Sequence, residues 1–434
     1  MKSSLSSQAA RLTLALLALA VSSHAGSRKQ MDLTGKVLVG YQGWFRCPGD
    51  GSPNNTWSHW SKGAPTPETM SVDLYPDTRE LKPESRCLLP GVTIAGKPAY
   101  VFSSFPKATV EKHFEWMRTY EIDGALLQRF INSIHSQQLE GDTVLKNVRA
   151  AAEANGRVFA VEYDLSGAHP DTAFKQLQDD WKYLTDGLKI TSSPSYLHDH
   201  GEPVVAIWGL GFGDKAHIQD PALALEIVEW FKHTAHVRVM GGVPAGWRTL
   251  NADSSLNKGW SAVYSALDIV QPWTVGRYRN LEAIDQWKAT HLIPDINLTK
   301  QRGQDYMPVI FPGFSWHNLN RDSAENQIPR LGGKFLWEQA YNAKTAGAAF
   351  VKIAMFDEVN EGTAIFKAAS SRKDGAPEPG YWLTLDADGD TLPNDWYLKL
   401  ASAISRMFHE TAPVTSTLPI TPTAILAPKD PTHH

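Results

Sequence analysis

The chain has 434 residues, 42% apolar and 20% charged, with a formal net charge of -4. It is long enough to bury a large core, and a near-neutral balance without a basic stripe argues against nucleic acid as a partner. Two cysteines are too few for a thiolate zinc site.

Residues 1–11 carry Lys2 and Arg11 and no acid, 12–21 are apolar, and Ser23 and Ala25 are small. This pattern predicts a signal peptide over 1–25, its apolar run being shorter than the roughly 20 residues a membrane span needs. The mature protein is expected to be periplasmic or secreted, with no membrane insertion after cleavage. Cys47 and Cys87 are then expected to pair as a disulfide, since such a compartment oxidises thiols and each is the other's only partner in the chain.

A first strand is predicted at 37–41, running into the segment YQGWFRCPGDG with Tyr41 and Trp44. The long loop that follows holds Trp57, His59, Trp60, Asp73 and Tyr75, and indole and phenol faces of this kind suit either ring stacking or loop packing. The apolar patch 98–105 is assigned to this loop. From residue 109 the pattern becomes regular. Helical spacing at 109–121, 142–156 and 171–189 alternates with apolar runs beginning near 122, 158 and 203. These runs exit in Gln128 and Arg129, in Glu162 and Asp164, and in Trp208.

The alternation continues. Helices are predicted at 221–234, 281–292 and 333–347, and strands near 237, 267, 306 and 349, with exits at Trp247, Trp273, Trp316 and the stretch FDEVNEGT at 356–363. Eight strands alternating with helices predict an α/β fold, a (β/α)8 TIM barrel with long βα loops over residues 26–410. A helix at 396–410 should pack on it, and the Thr/Pro-rich tail 411–434 is expected to be disordered.

No cofactor is expected. GLGFGD at 209–214 lacks the spacing of a dinucleotide loop, and no G-x-S-x-G elbow is present. No metal is expected either: His198 to His200 reads as a loop, and DADGD at 386–390 lacks the glutamate that a calcium loop needs twelve residues after its start. The strand exits instead hold carboxylates, indoles and amides, a mixture suited to an oligosaccharide or polysaccharide. Three readings follow from the residues: a glycoside hydrolase using Glu358 and Glu361, another barrel lyase or hydrolase, or a catalytically silent glycan-binding barrel.

The stretch FDEVNEGT resembles the Phe-Asn-Glu-Trp-His-Glu-Gly-Thr segment of the endo-α-mannosidase family of glycoside hydrolases, family 99, and its relatives grouped with family 71. VEYDLSG is similar to that family's Ile-Glu-Pro-Tyr exit, and VGYQGWF to its first-strand exit. The resemblance implies Glu358 and Glu361 as catalytic residues, with Glu358 the base toward the sugar's 2-hydroxyl and Glu361 the acid/base, in a reaction that retains anomeric configuration. It also implies Glu162 as a substrate contact. Tyr41, Trp44, Trp208, Trp247, Trp273, Trp316 and Asn360 complete the expected substrate-binding set. Asp357, Val359 and Asn360 replace the family's Asn, Trp and His, so a divergent bacterial branch is implied.

Overall fold

A computed structural model of the protein describes residues 32–375 and 377–422. The expected signal peptide and residues 423–434 of the expected tail lie outside this range. β1 (Val37–Tyr41) opens the fold, and the long segment after it contains a separate antiparallel hairpin, β2 (Arg86–Ile94) and β3 (Lys97–Phe102). The apolar patch near residue 100 is therefore a strand of that hairpin, outside the central sheet. Next come α1 (Lys107–Thr119), β4 (Gly124–Phe130), α2 (Gln138–Asn155), β5 (Val158–Asp164) and α3 (Pro170–Lys182). They are followed by the short β6 (His198–Asp199), β7 (Glu202–Trp208), α4 (Pro221–His233) and β8 (Arg238–Pro244).

Local sequence accounts for these boundaries. α2 stops at Gly156, whose φ of 58° is one that a side chain would resist. α4 starts where the Asp220 carboxylate accepts from the Ala222 N–H and Pro221 takes a first-turn place that needs no donor. β1 and β5 are apolar nearly throughout and buried at every residue, as strands covered on both faces must be.

The chain then runs through α5 (Trp260–Ala266), β9 (Ile269–Trp273), α6 (Leu281–Trp287), α7 (Ile293–Gln301), β10 (Asp305–Tyr306), β11 (Val309–Ile310), α8 (Lys334–Thr345), β12 (Val351–Ile353) and α9 (Trp396–Phe408). The central sheet has the order β10-β9-β8-β7-β5-β4-β1-β12-β11, its neighbours parallel, with β6 antiparallel to β7. It curls about 304° around an axis and remains open.

This corrects the expectation of a closed eight-stranded barrel. The seventh strand is broken: β10 pairs with β9, β11 pairs with β12, and Met307 and Pro308 separate them. Proline has no N–H to give a ladder, so the segment serves one neighbour and then the other. The two edges of the sheet are consecutive pieces of one chain segment.

α9 packs beside α8, and the described part of the expected tail lies on the same side. Trp337 Nε1 donates to the Thr415 carbonyl at 3.0 Å, and Leu418 and Ile420 are half-buried against the core. No helix among the described residues is long and apolar enough to cross a membrane.

Cys47 and Cys87 form a disulfide with Cα atoms 6.1 Å apart, tying the start of the first loop to β2. Opening the 40-residue loop removes up to about 4 kcal/mol of chain-entropy stabilisation. A Cys47→Ser, Cys87→Ser variant should therefore melt earlier than the parent. Equal melting temperatures under non-reducing conditions would show that the bridge contributes nothing to stability.

Candidate active site

The exit of β12 is pinned to the exit of β1 by Asp357. Its two carboxylate oxygens accept the backbone N–H groups of Gln42 at 2.8 Å and Gly43 at 2.9 Å. Burial nevertheless pushes this carboxyl up to about 6, because two hydrogen bonds do not replace its lost water. The chain then folds back on itself. The Glu358 carbonyl accepts from Thr363 N at 3.1 Å and Ala364 N at 2.8 Å, and Gly362 N donates to the Val359 carbonyl at 3.3 Å.

Gly362 has a φ of 60°, and a Cβ there would stand 3.0 Å from the Ser315 carbonyl. This turn brings Glu358 and Glu361, three residues apart and otherwise on opposite sides of an extended chain, to a common place. The buried Arg330 fastens it by donating to the carbonyls of Gly362 at 2.7 Å and Ala364 at 2.8 Å.

Glu358 is buried and Glu361 half-buried. Burial is the main reason that both carboxyls are held up, Glu361 to about 7 and Glu358 well above the usual carboxylate range. The charges of Glu361 and Asp357 raise Glu358 further, against the Asn360 N–H, which donates to its Oε1 at 2.9 Å. Two such groups share protons, and near neutrality the pair holds one proton more readily than none.

Asp73 organises the neighbouring loop. It accepts from Ser315 Oγ at 2.5 Å, His317 N at 2.8 Å and Asn318 N at 2.7 Å, which sets the half-buried Trp316 beside the β12 turn. The Glu361 carbonyl joins that loop by accepting from Ser315 N at 2.9 Å. Sequence reasoning noted Asp73 without a role. Its only signal was a lone acid in a loop rich in aromatic residues.

The other expected contacts divide into two groups. Trp208 and Trp273 are half-buried at the exits of β7 and β9, with ring centroids 5.6 Å apart and planes at 80°. Trp44 stacks on His59 at 3.8 Å and on Phe130 at 5.1 Å, so neighbouring rings occupy it. Three expectations require correction. Tyr41 is fully buried with its hydroxyl 2.8 Å from His113 Nδ1, because it belongs to the core between β1 and α1. Trp247 is likewise buried, its Nε1 donating to Asp295 Oδ2 at 3.1 Å. Asn360 spends its amide donors on the carbonyls of His59 at 2.7 Å and Ser71 at 2.9 Å, which makes it a brace for the first loop.

Glu162 also departs from expectation. Lys352 Nζ donates to its two oxygens at 2.6 and 2.7 Å, and Gln128 Nε2 to one of them at 3.1 Å. Both charged side chains are fully buried. Lys352 crosses the sheet interior beside Gly40, where a Cβ would lie 3.3 Å from its Cε and 2.2 Å from Met355 Sδ. A substrate has no access to Glu162 in this arrangement.

Two acidic groupings away from the mouth are engaged elsewhere. Asp199, His200 and Asp305 come close enough to share a cation, but Arg238 already lies 2.7 Å from each of the two carboxylates. Asp388 accepts from Asn326 Nδ2 and Leu331 N, both at 2.7 Å, and so caps a loop.

The fold is similar to that of the GH99 endo-alpha-mannosidase from Bacteroides thetaiotaomicron, with a TM-score of 0.63 and 15% identity over 87% of this chain and 98% of that one. The same enzyme in complex with BIS-TRIS-Propane matches at 16% identity, with the same TM-score and coverage. A glycoside hydrolase-like protein matches at 13% identity and a TM-score of 0.54, over 86% of this chain and 94% of its own. No family model matches the sequence, and no curated protein is similar to it. At these identities the likeness establishes the fold. It is GH99-like over most of the chain, as the FDEVNEGT resemblance implied.

Removing one partner of the Lys352–Glu162 pair leaves a buried charge without its counterion. Glu162→Gln should cost about 3–5 kcal/mol of unfolding free energy. A denaturant midpoint unchanged from the parent's would mean that water reaches the pair and that its burial is misjudged.

Proposed function

We propose that the chain is a glycoside hydrolase that cleaves an α-linked glycan with retention, the sugar's own 2-hydroxyl taking part. The observation that carries the reading is the Glu358 and Glu361 pair, held by one turn in a site that keeps a proton on it near neutrality. A binding protein has no use for such a pair. A hydrolase needs one group able to give a proton and one able to take it. The half-buried indoles of Trp208, Trp273 and Trp316 supply apolar faces for sugar rings, and the GH99-like fold supports the same substrate class.

In the proposed reaction, Glu358 takes the proton of the 2-hydroxyl, whose oxygen attacks the anomeric carbon. Glu361 protonates the departing oxygen. Water then opens the resulting epoxide-like sugar at the anomeric carbon from the face that restores the original configuration, giving one proton to Glu361 while Glu358 returns its proton to the 2-oxygen. Burial and the charges of Glu361 and Asp357 hold Glu358 up more strongly than burial alone holds Glu361. That ordering favours a second reading with the roles exchanged, Glu358 being the acid.

A panel of α-linked mannosides and glucosides, with free and aryl leaving groups, tests both readings. Turnover should rise as pH passes about 7, where Glu361's proton is released and the pair is left with one, and fall at higher pH when the last proton goes. Glu361→Gln should abolish cleavage of natural linkages yet keep turnover of aryl glycosides, whose leaving group needs no acid, and a 2-deoxy substrate should not react. A first-formed product of inverted configuration, or efficient cleavage of the 2-deoxy substrate, would refute 2-hydroxyl participation. If Glu358→Gln, and not Glu361→Gln, is the variant that keeps aryl turnover, the exchanged roles are correct.

A further inference from the structure

Glu162 and Asp164 lie two residues apart on β5, so their side chains leave the same face of the strand. That face looks into the curled sheet, because Glu162 meets Lys352 from β12 there. Asp164 stands one layer nearer the mouth. Its hydrogen-bond partner is Ser166, whose N–H donates to Oδ1 at 2.7 Å and whose side chain also bonds the carboxyl, and the residue is 7% exposed where Glu162 is fully buried.

The strand register sets Asp164 beside Trp208 of β7 on one side and Phe130 of β4 on the other. Trp208 is half-buried at a right angle to Trp273, and its Nε1 has no acceptor among the described residues. A carboxylate bonded by Ser166 alone, an unclaimed indole donor and two crossed aromatic rings thus meet at neighbouring strand exits. This is the equipment for holding a sugar ring by its face and by its hydroxyls.

We propose that Asp164, in place of Glu162, is the β5 carboxylate that touches substrate, accepting hydrogen bonds from hydroxyls of a sugar ring packed on Trp208. The inference rests on the glycoside hydrolase reading above and adds to it the residue and the charge of the ligand. That ring is neutral. Asp164, Asp357, Glu358 and Glu361 all gather at this end of the sheet, and the cation beneath them, Lys352, is already matched by Glu162. A uronic acid would meet these carboxylates with Lys352 already neutralised and His217, 5.3 Å from the Trp208 ring, already paired with Asp214. Glu162 is a positioning residue that neutralises Lys352 and keeps the floor of the site in place.

The test compares KM, kcat and melting temperature for Asp164→Asn, Asp164→Ser and Glu162→Gln on whichever neutral disaccharide of the panel above the parent cleaves. Both Asp164 variants should raise KM by at least about tenfold with little change in melting temperature, a loss seen in substrate binding more than in turnover. Glu162→Gln should lower the melting temperature. An unchanged KM in both Asp164 variants, beside an active parent, overturns this inference and leaves the hydrolase reading standing. Glu162→Gln with the parent's melting temperature and a raised KM would return the contact to Glu162. A parent that cleaves no α-glycoside overturns the hydrolase reading and this inference with it.

Discussion

Two carboxyls brought together in a largely buried turn cannot both ionise at ordinary cost. Glu358 and Glu361 are in that position, and most of the surrounding structure can be read as keeping them there. The Asp357 clamp to β1, the positive-φ turn at Gly362 and the Arg330 brace hold the backbone. The Asp73 loop closes one side of it, and the disulfide-tied first loop contributes the carbonyls of His59 and Ser71 that secure Asn360. Each of these contacts is a backbone hydrogen bond or a buried charge satisfied by donors. Each therefore resists the local relaxation that would let water in and bring the pair back to ordinary acidity.

Beneath the pair, the open sheet holds a second buried charge group with the opposite solution. Lys352 and Glu162 satisfy one another, with Gln128 and Gln271 completing the shell; Gln271 Oε1 accepts from Lys352 Nζ at 3.2 Å. A pair of this kind contributes little net stability over an apolar core, but it is expensive to break. Its consequence for function is indirect. It leaves the carboxylates above it without a free cation, so their proton affinity stays high.

The alternation of strands and helices was legible because each strand is an apolar run and each helix keeps its own period. The apolar patch 98–105 was assigned to the first loop, where it overlaps one strand of the hairpin, but the partner strand at 86–94 was not legible. Closure of the sheet was not legible, because one proline, Pro308, decides it, and its effect depends on which neighbour each half of the segment meets. At the site, the glutamates were legible from FDEVNEGT. The partners of Glu162 were not, since Lys352 lies 190 residues away and reads in sequence as an ordinary break in an apolar strand. Tyr41 and Trp247 show the same limit: a strand-exit aromatic faces the mouth or the core according to strand register and loop path, which a single sequence does not display. Asp164 was visible beside Glu162, but nothing in the sequence shows that Lys352 occupies Glu162.

Burial of both carboxyls, with the charges of Glu361 and Asp357 acting on Glu358, should keep a proton on the Glu358 and Glu361 pair near neutral pH. Infrared difference spectroscopy of the protonated carboxyl stretch, recorded across a pH titration of the intact protein and of Glu358→Gln, measures this directly. A carboxyl band should persist beyond about pH 7 in the parent, and Glu358→Gln should lose that persistent part while Glu361, held up by burial, still titrates near about 7. Complete ionisation of both groups in the ordinary carboxylate range, with no band surviving toward neutrality, would contradict the account.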